Sequence, residues 1–584
     1  MGKRKVLTKI VAVLLTVVLA GEILSSSVYA SAFENATSNG KKSENIHEQG
    51  YGNYYHTVQS YLYRNADGSY NRVEYINGYI YSEMYSSDFK YISRKKIQLE
   101  LPVFGGVYAS QDAYFVVEGQ NNTKAKPGVT EFRIIKYDKQ WNRLASGDIK
   151  DANTTVPFRA GSCRFVQNGD MLYIRTCHEM YNGHQASVMI QMNMSDCSII
   201  TADSDVANSS YGYISHSFNQ YLAQKNGVIY ACDHGDAYTR GITMMRFDCL
   251  EPGTEYFNNE VTSVVSMPFT GKTGDNYTGA TLGGFAVSDT HAIAVGSSVP
   301  QVKSSEDYEV YNIFVTAVAT GNFTKQSAVT SWITNYSQKG KRTASNPQMV
   351  EINSNNYLLL WEEYYKNEFN RMCYVFIDGT GNKISPVRSL YAPLSDCQPI
   401  LSGNDVVWYV TENNSPVFYR LSVNGDSVSP EKKNTRFTKD GIVYKVTKSS
   451  SKSCEVAVVG YKKSKMSSEV FLPKKVMYNG YVYSVTKISA KAFRNCKKLK
   501  SISIPSTVTS IGKQAFAGCK NLKILQVASQ KYTSKKIGKQ AFKGISKRVS
   551  VVVPNKKMKA YKKLFAQKGL NKRAKFYKQS AVWY

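Results

Sequence analysis

A stretch near the C-terminus repeats itself in register and leaves few ways for that part of the chain to fold. The segment "VTKISAKAFRNCKKLKSISIPSTV" is followed by "VTSIGKQAFAGCKNLKILQVASQK". Ile488 and Ile511, Phe493 and Phe516, Cys496 and Cys519, and Leu499 and Leu522 are each 23 residues apart, as are Ile502 and Leu525 and Ile504 and Val527. A third copy, "KIGKQAFKGI", puts Phe542 26 residues after Phe516. No single copy buries these side chains alone. One solenoid turn per copy stacks each above its counterpart and builds a continuous core. Cys496 and Cys519 then read as small buried ladder residues with parallel side chains, not as a disulfide or a metal site.

The pattern "Ile-Gly-x-x-Ala-Phe-x-x-Cys-x-x-Leu-x-x-Ile-x-Ile-Pro" resembles the BspA-type leucine-rich repeat of bacterial surface and secreted proteins. The resemblance covers about 440–575 and implies an N-terminal cap over 431–484, repeats over 485–550, and a final strand, capping helix and basic tail over 551–584. The first copy departs from the pattern, with Ser489 where the others carry Gly512 and Gly538. The family is associated with adhesion and host interaction.

Upstream, from 57 to 430, a longer unit recurs. Strongly apolar runs begin at Ala113, Met171, Val228, Ala292, Tyr357 and Val406. Five of the six are followed by a polar loop and another strand that ends near Asp138, Asp196, Asp248, Asp378 or Asp426. The spacing is that of a four-strand blade. A first unit near "SYLYRNADGSYNRVEYINGYIYSEMY" reads as partial, its missing strand supplied from the end of the domain to close the ring. A single core for so many residues would be unusually large, whereas radial sheets pack only on their neighbours. The stretch resembles a seven-bladed β-propeller; two stacked β-sandwiches are the alternative. The fold class is therefore mainly β: a propeller, then a short leucine-rich-repeat solenoid with a capping helix.

Charge divides the chain at the same boundary. From Glu431 onward there are 38 Lys and Arg against 4 Asp and Glu, while residues 1–430 hold 36 against 40. Such asymmetry points to separate partners for the two parts. Residues 1–32 read as a signal peptide: a basic start, the run "IVAVLLTVVLA" and the cleavage-type "VYASA". Residues 33–56 read as a polar linker. With no Leu-Pro-x-Thr-Gly sorting motif in the sequence, the expected location is secreted or non-covalently held at the cell surface. Export removes nucleic acid as a partner. It leaves anionic cell-wall polymers or acidic glycans, with peripheral membrane contact as a further option. The lysines that would bind them are Lys497, Lys498, Lys500, Lys535, Lys536, Lys556, Lys557, Lys562 and Lys563.

In a blade, the loop after the second strand lies on the same face as the entry to the first. That face gathers His178, Glu179, His216, Asn219, Asp233, His234, Asp236, Arg240, Glu362 and Glu363. Amides and carboxylates satisfy sugar hydroxyls, so one reading is a face for a host surface protein or carbohydrate. A second gives Asp233 and Asp236 a divalent cation, or His178 and His234 a zinc ion; no other cofactor is expected. A third uses Asp233, Asp236, His216 and Glu179 for acid–base catalysis. In a fourth the groups fill the channel and bond to one another. His216 and Asp233 are expected to meet across adjacent antiparallel strands. The function read from the sequence is an exported binding or adhesion protein; the alternative is a secreted carbohydrate-active enzyme with its site on the propeller.

Overall fold

The computed structural model describes residues 33–37, 43–45, 57–161, 163–200, 214–237, 239–248, 261–301, 310–412, 414–423, 431–450, 454–478 and 481–578. The signal-peptide reading of 1–32 lies outside them. The chain divides into two compact units, Met1–Ser427 and Val428–Tyr584.

The first unit contains seven four-stranded sheets. Blade 1 spans Ser60–Gln98, blade 2 Val103–Lys150, blade 3 Val156–Asn193 and blade 4 Ser217–Pro268. Blade 5 spans Ala280–Trp332, blade 6 Arg342–Leu390, and blade 7 Ile400–Ser422. Within blades 1, 2, 4, 5 and 6 the strands pair in chain order, each antiparallel to the last. Blade 3 departs from this: Val156–Pro157 and Arg164–Asn168 both pair with Met171–Glu179, so its first strand is split.

Second strands are buried over most of their length, and largely apolar, because each sheet is covered on both faces. All seven residues of Ala113–Gly119 are buried, whereas the outer strand Tyr91–Gln98 is mostly exposed. The packing shows a ring. Val73 and Ile80 of blade 1 share a core with Val116 and Ile135 of blade 2. Blade 2 shares one with blade 3 through Phe115 and Leu172, blade 3 with blade 4 through Tyr173 and Ile229, and blade 4 with blade 5 through Met244 and Ala294. Val315 joins blade 5 to Leu359 of blade 6. Finally Leu62 and Tyr85 of blade 1 pack with Val407 and Phe418 of blade 7, which brings the last sheet back to the first.

Ring closure differs from the sequence expectation. Blade 1 is complete within its own segment. It is blade 7 that borrows a strand: Phe33–Thr37 pairs antiparallel with Ser415–Ser422, Phe33 opposite Leu421. Part of the segment read as a linker is therefore the outermost strand of the last blade. Pairing the N-terminal segment with the last blade ties the two ends of the ring together through backbone hydrogen bonds.

The second unit begins with strands Arg436–Lys439, Ile442–Lys448 and Glu455–Tyr461, paired antiparallel in sequence. Five short strands then run parallel: Glu469–Phe471, Ser501–Ile504, Ile524–Val527, Ser550–Val553 and Lys575–Lys578. Phe493, Phe516 and Phe542 stack ring on ring, with centroids 5.4 and 6.1 Å apart. Helix Met558–Gln567 closes the stack with Tyr561 and Phe565 buried. Cys496 and Cys519 are buried and free, as are all nine described cysteines. The glycine that the first copy lacks also has a reason. A Cβ at Gly512 would lie 2.3 Å from the Ala490 nitrogen, and one at Gly538 2.3 Å from the Lys513 nitrogen. Each glycine lets its coil rest on the backbone of the coil before it. Ser489 instead follows a strand of the cap, its amide donating to the Val458 carbonyl at 2.8 Å, and there a side chain is accommodated.

Candidate functional site

The polar ends of the second strands are where the ligand-binding candidates sit, and the structure gives most of them internal partners. Asp233 lies near the end of Val228–Gly235, the second strand of blade 4. Its carboxylate accepts two hydrogen bonds of 2.7 Å from Arg175 on the second strand of blade 3, and a third of 2.7 Å from the Ser217 hydroxyl. It does not meet His216, as the sequence had suggested. The register places Ser217 opposite Gly235, which carries His216 to Asp236 instead, Nδ1 to Oδ1 at 3.0 Å. Burial raises the Asp236 carboxyl above the ordinary range, against the pull of His216. His234 is buried, bonded through Nε2 to Thr278 at 2.8 Å and set edge-on to Phe269.

Arg240 is a loop staple. It donates to the carbonyls of Thr270, Asp236, Asp275 and Tyr277. His178 is buried with Nδ1 2.5 Å from the Thr154 hydroxyl, and burial lowers its pKa to about 3, so the ring is neutral. Glu179, partly exposed, faces Arg159 at 3.5 Å. Glu362 receives the Leu394 amide at 2.8 Å and so links blade 6 to the approach to blade 7. Glu363 is gripped by Arg371, Arg342, Asn370 and Tyr336. Burial alone would raise its carboxyl, but these partners overcome it and hold it below the usual range. Of the four readings of this face, mutual bonding describes Asp233, Glu362 and Glu363 directly.

Asn219 has a different position. Its backbone is left-handed, φ 48°, at a bulge in the first strand of blade 4, and Asn346 repeats this in blade 6, also at φ 48°. With Arg164, Gln348 and Asp396 they line a cavity of about 20 Å³ where blades 3, 4, 5 and 6 meet the segments that lead into blades 1 and 7. That volume is about one water molecule. Among the described residues, no group of three or more His, Cys, Asp and Glu side chains is placed to hold a metal ion. Asp233 and Asp236 turn to different partners, and His178 and His234 are each bonded to a threonine.

The basic candidates contrast with these. Lys497, Lys498, Lys500, Lys535, Lys536, Lys556, Lys562 and Lys563 are exposed and Lys557 is half-buried. Among the described residues, no carboxylate lies within ion-pair distance of any of the nine. The lysines also stack. The Lys523 amide donates to the Lys500 carbonyl at 2.7 Å, so these two side chains start from adjacent coils. Lys520 stands 23 residues after Lys497 in the same way. The sequence reading passed over Lys520 and Lys523, although the 23-residue step that placed the phenylalanines identifies them too.

The parallel coils, the phenylalanine stack and the glycine contacts agree with a match of residues 465–579 to the model of the BspA type leucine rich repeat region, in six copies. Residues 465–579 are a BspA-type leucine-rich repeat region. Solved structures overlap each unit. A leucine rich cell surface protein from Faecalibacterium prausnitzii A2-165 is 24% identical over 21% of this chain and 38% of its own, with a TM-score of 0.16. A prolyl endopeptidase structure is 9% identical over 72% of this chain and 57% of its own, with a TM-score of 0.34. A Penicillium chrysogenum α-L-arabinanase complexed with arabinobiose is 9% identical over 68% of this chain and 99% of its own, with a TM-score of 0.32. No curated protein matches the chain in sequence. The propeller rests on its own sheet order and shared cores; the BspA-type region rests on its repeat.

Proposed function

We propose that the chain is an exported binding protein whose BspA-type region holds it to anionic polymers at a cell surface while the propeller is displayed. The observation that carries this is the lysine-rich solenoid surface: 38 basic residues against 4 acidic ones after residue 430, with the nine candidate lysines having no carboxylate partner among the described residues. Adjacent strands in a parallel stack lie about 4.8 Å apart. Two ammonium groups at that spacing repel by about 1 kcal/mol in water. A polymer with regularly spaced phosphates, carboxylates or sulfates removes that repulsion at every coil. Each lysine near an anionic surface contributes on the order of 1 kcal/mol, so several together hold a protein without a covalent anchor.

The choice among teichoic-type wall polymer, acidic glycan and anionic lipid follows from which of them the exported protein meets. The carbohydrate-active reading draws less support, because Asp233, one of its four candidate acid–base groups, is bonded to Arg175 inside the propeller. The test is sedimentation of the full chain with isolated cell walls. Replacing Lys497, Lys500, Lys520 and Lys523 with glutamine is expected to reduce the bound fraction several-fold. Unchanged binding would count against the solenoid as the tether.

A further inference from the structure

The turn end of the propeller, opposite the face discussed above, carries a cleft that none of the sequence candidates touch. It lies between blades 1 and 2 and has a volume of about 670 Å³, within the usual range for small-molecule sites. It is built from the first hairpin turns of the two blades, near Asn65 and Gln111, and the outer turn of blade 2, near Gln140.

Its charge is one-sided. Arg64, Lys95 and Lys139 line it, and Asp67 is its one acidic side chain. The Asp67 carboxylate is already bonded to the Ser69 amide at 2.9 Å and the Ser69 hydroxyl at 2.6 Å. Lys139 is half-buried. Its Nζ donates to the Ser110 carbonyl at 2.5 Å and stands 4.2 Å from the centre of the Tyr114 ring. Among the described residues, no carboxylate lies within ion-pair distance of it. A partly desolvated ammonium held by a carbonyl and a ring face retains a strong preference for an anion.

The wall is aromatic and ordered. Tyr114 and Trp141 stack with centroids 4.4 Å apart and planes 10° apart. Trp141 is held at φ 65°, where the matching turn of blade 6 uses Gly381 at φ 86°. The Asn71 amide donates to the Tyr114 hydroxyl at 2.6 Å and its carbonyl accepts from Ser82 at 2.8 Å. The Tyr114 oxygen therefore acts as acceptor within the wall and keeps its own hydrogen to donate. Met84 adds an exposed apolar surface.

We propose that this cleft binds an acidic sugar. Its carboxylate would sit among Lys139, Lys95 and Arg64, its apolar ring face against Met84 and the edge of the largely buried Trp141, and its hydroxyls within reach of the Tyr114 hydroxyl and the surrounding amides. This combination of cations, aromatic wall and neutral donors distinguishes the cleft from the solenoid, whose lysines stand on an open surface. Burial lowers the Lys139 ammonium pKa, and a bound carboxylate would restore it.

The test is calorimetric titration of the full chain with digalacturonate, and with galactobiose as the neutral counterpart, at constant ionic strength. The acidic disaccharide is expected to bind and the neutral one to bind at least tenfold more weakly. Lys139→Met is expected to lower affinity about tenfold, and Arg64→Gln and Lys95→Gln, both at exposed positions, about threefold each. The solenoid variant with Lys497, Lys500, Lys520 and Lys523 changed to glutamine is expected to leave this affinity unchanged. Equal affinity for both disaccharides, no binding by either, competition by sulfate as effective as by digalacturonate, or loss only in the solenoid variant would each overturn the proposal. The two exposed-site variants keep the test decisive if Lys139→Met does not fold.

Discussion

Arg175 and Asp233, on the second strands of neighbouring blades, are joined by two hydrogen bonds of 2.7 Å with neither side chain exposed to solvent. The pair makes the blade 3–blade 4 junction specific, because each group is costly to bury without the other. Removing one partner of a buried ion pair costs about 3–5 kcal/mol, whereas an apolar replacement of both is often near neutral. Asp233→Ala is therefore expected to lower propeller stability by about 3–5 kcal/mol. The double variant Arg175→Met with Asp233→Leu is expected to recover most of the loss. Urea unfolding followed by tryptophan fluorescence reads this unit, which holds four of the five tryptophans. A single variant within 1 kcal/mol of the parent, roughly the worth of a surface pair, would show that the pair is not a structural rivet.

His178 predicts an acid-side loss of stability. Its folded pKa is lowered from 6.5 to about 3 by burial. Below pH 6.5 the unfolded chain binds a proton at this ring and the folded chain does not, until pH approaches 3. Stability from this group is thus full above pH 6.5 and falls by up to about 1.4 kcal/mol per pH unit through that window. His178→Gln is expected to flatten the slope of urea midpoint against pH between 6.5 and 4. Parallel slopes for the two proteins would contradict the assignment of a neutral buried imidazole.

The coil contacts of the BspA-type region predict an asymmetry between copies. Gly538→Ala forces a methyl against the Lys513 backbone and is expected to cost about 1–3 kcal/mol, the range for overpacking. Ser489→Ala, at the same position of the first copy, is expected to be within about 0.5 kcal/mol of the parent. Thermal unfolding of the full chain, followed by far-ultraviolet circular dichroism, separates the two outcomes. Equal effects would contradict the close approach of Gly538 to the Lys513 backbone.

Much of this fold was legible because it repeats. The runs from Ala113, Met171, Val228, Ala292, Tyr357 and Val406 are second strands of consecutive blades, and Phe493, Phe516 and Phe542 are one stack. The closing strand was not legible: Phe33–Thr37, "FENAT", has no apolar alternation, since its pairing depends on backbone hydrogen bonds to Ser415–Ser422. The candidate face was legible as a position and not as a chemistry. Asp233 and Glu363 look like ligand groups until their partners are known, and the partner of Asp233 is Arg175, 58 residues earlier. The cleft between blades 1 and 2 was missed because Arg64 and Tyr114 at two strand ends and Lys139 in a turn share no motif. The lysine surface needed no tertiary information beyond the 23-residue step.

The measurement that bears most directly on the account is the salt dependence of full-chain binding to purified wall teichoic acid. If the solenoid lysines hold the polymer, each contact releases a counterion, and log affinity falls linearly with log salt concentration. With six or more lysines engaged, affinity is expected to fall by about 10³ or more between 50 and 200 mM salt. The variant with Lys497, Lys500, Lys520 and Lys523 changed to glutamine is expected to show a visibly shallower line. Binding that is absent at 50 mM salt, or that is the same at both concentrations, would contradict an electrostatic tether.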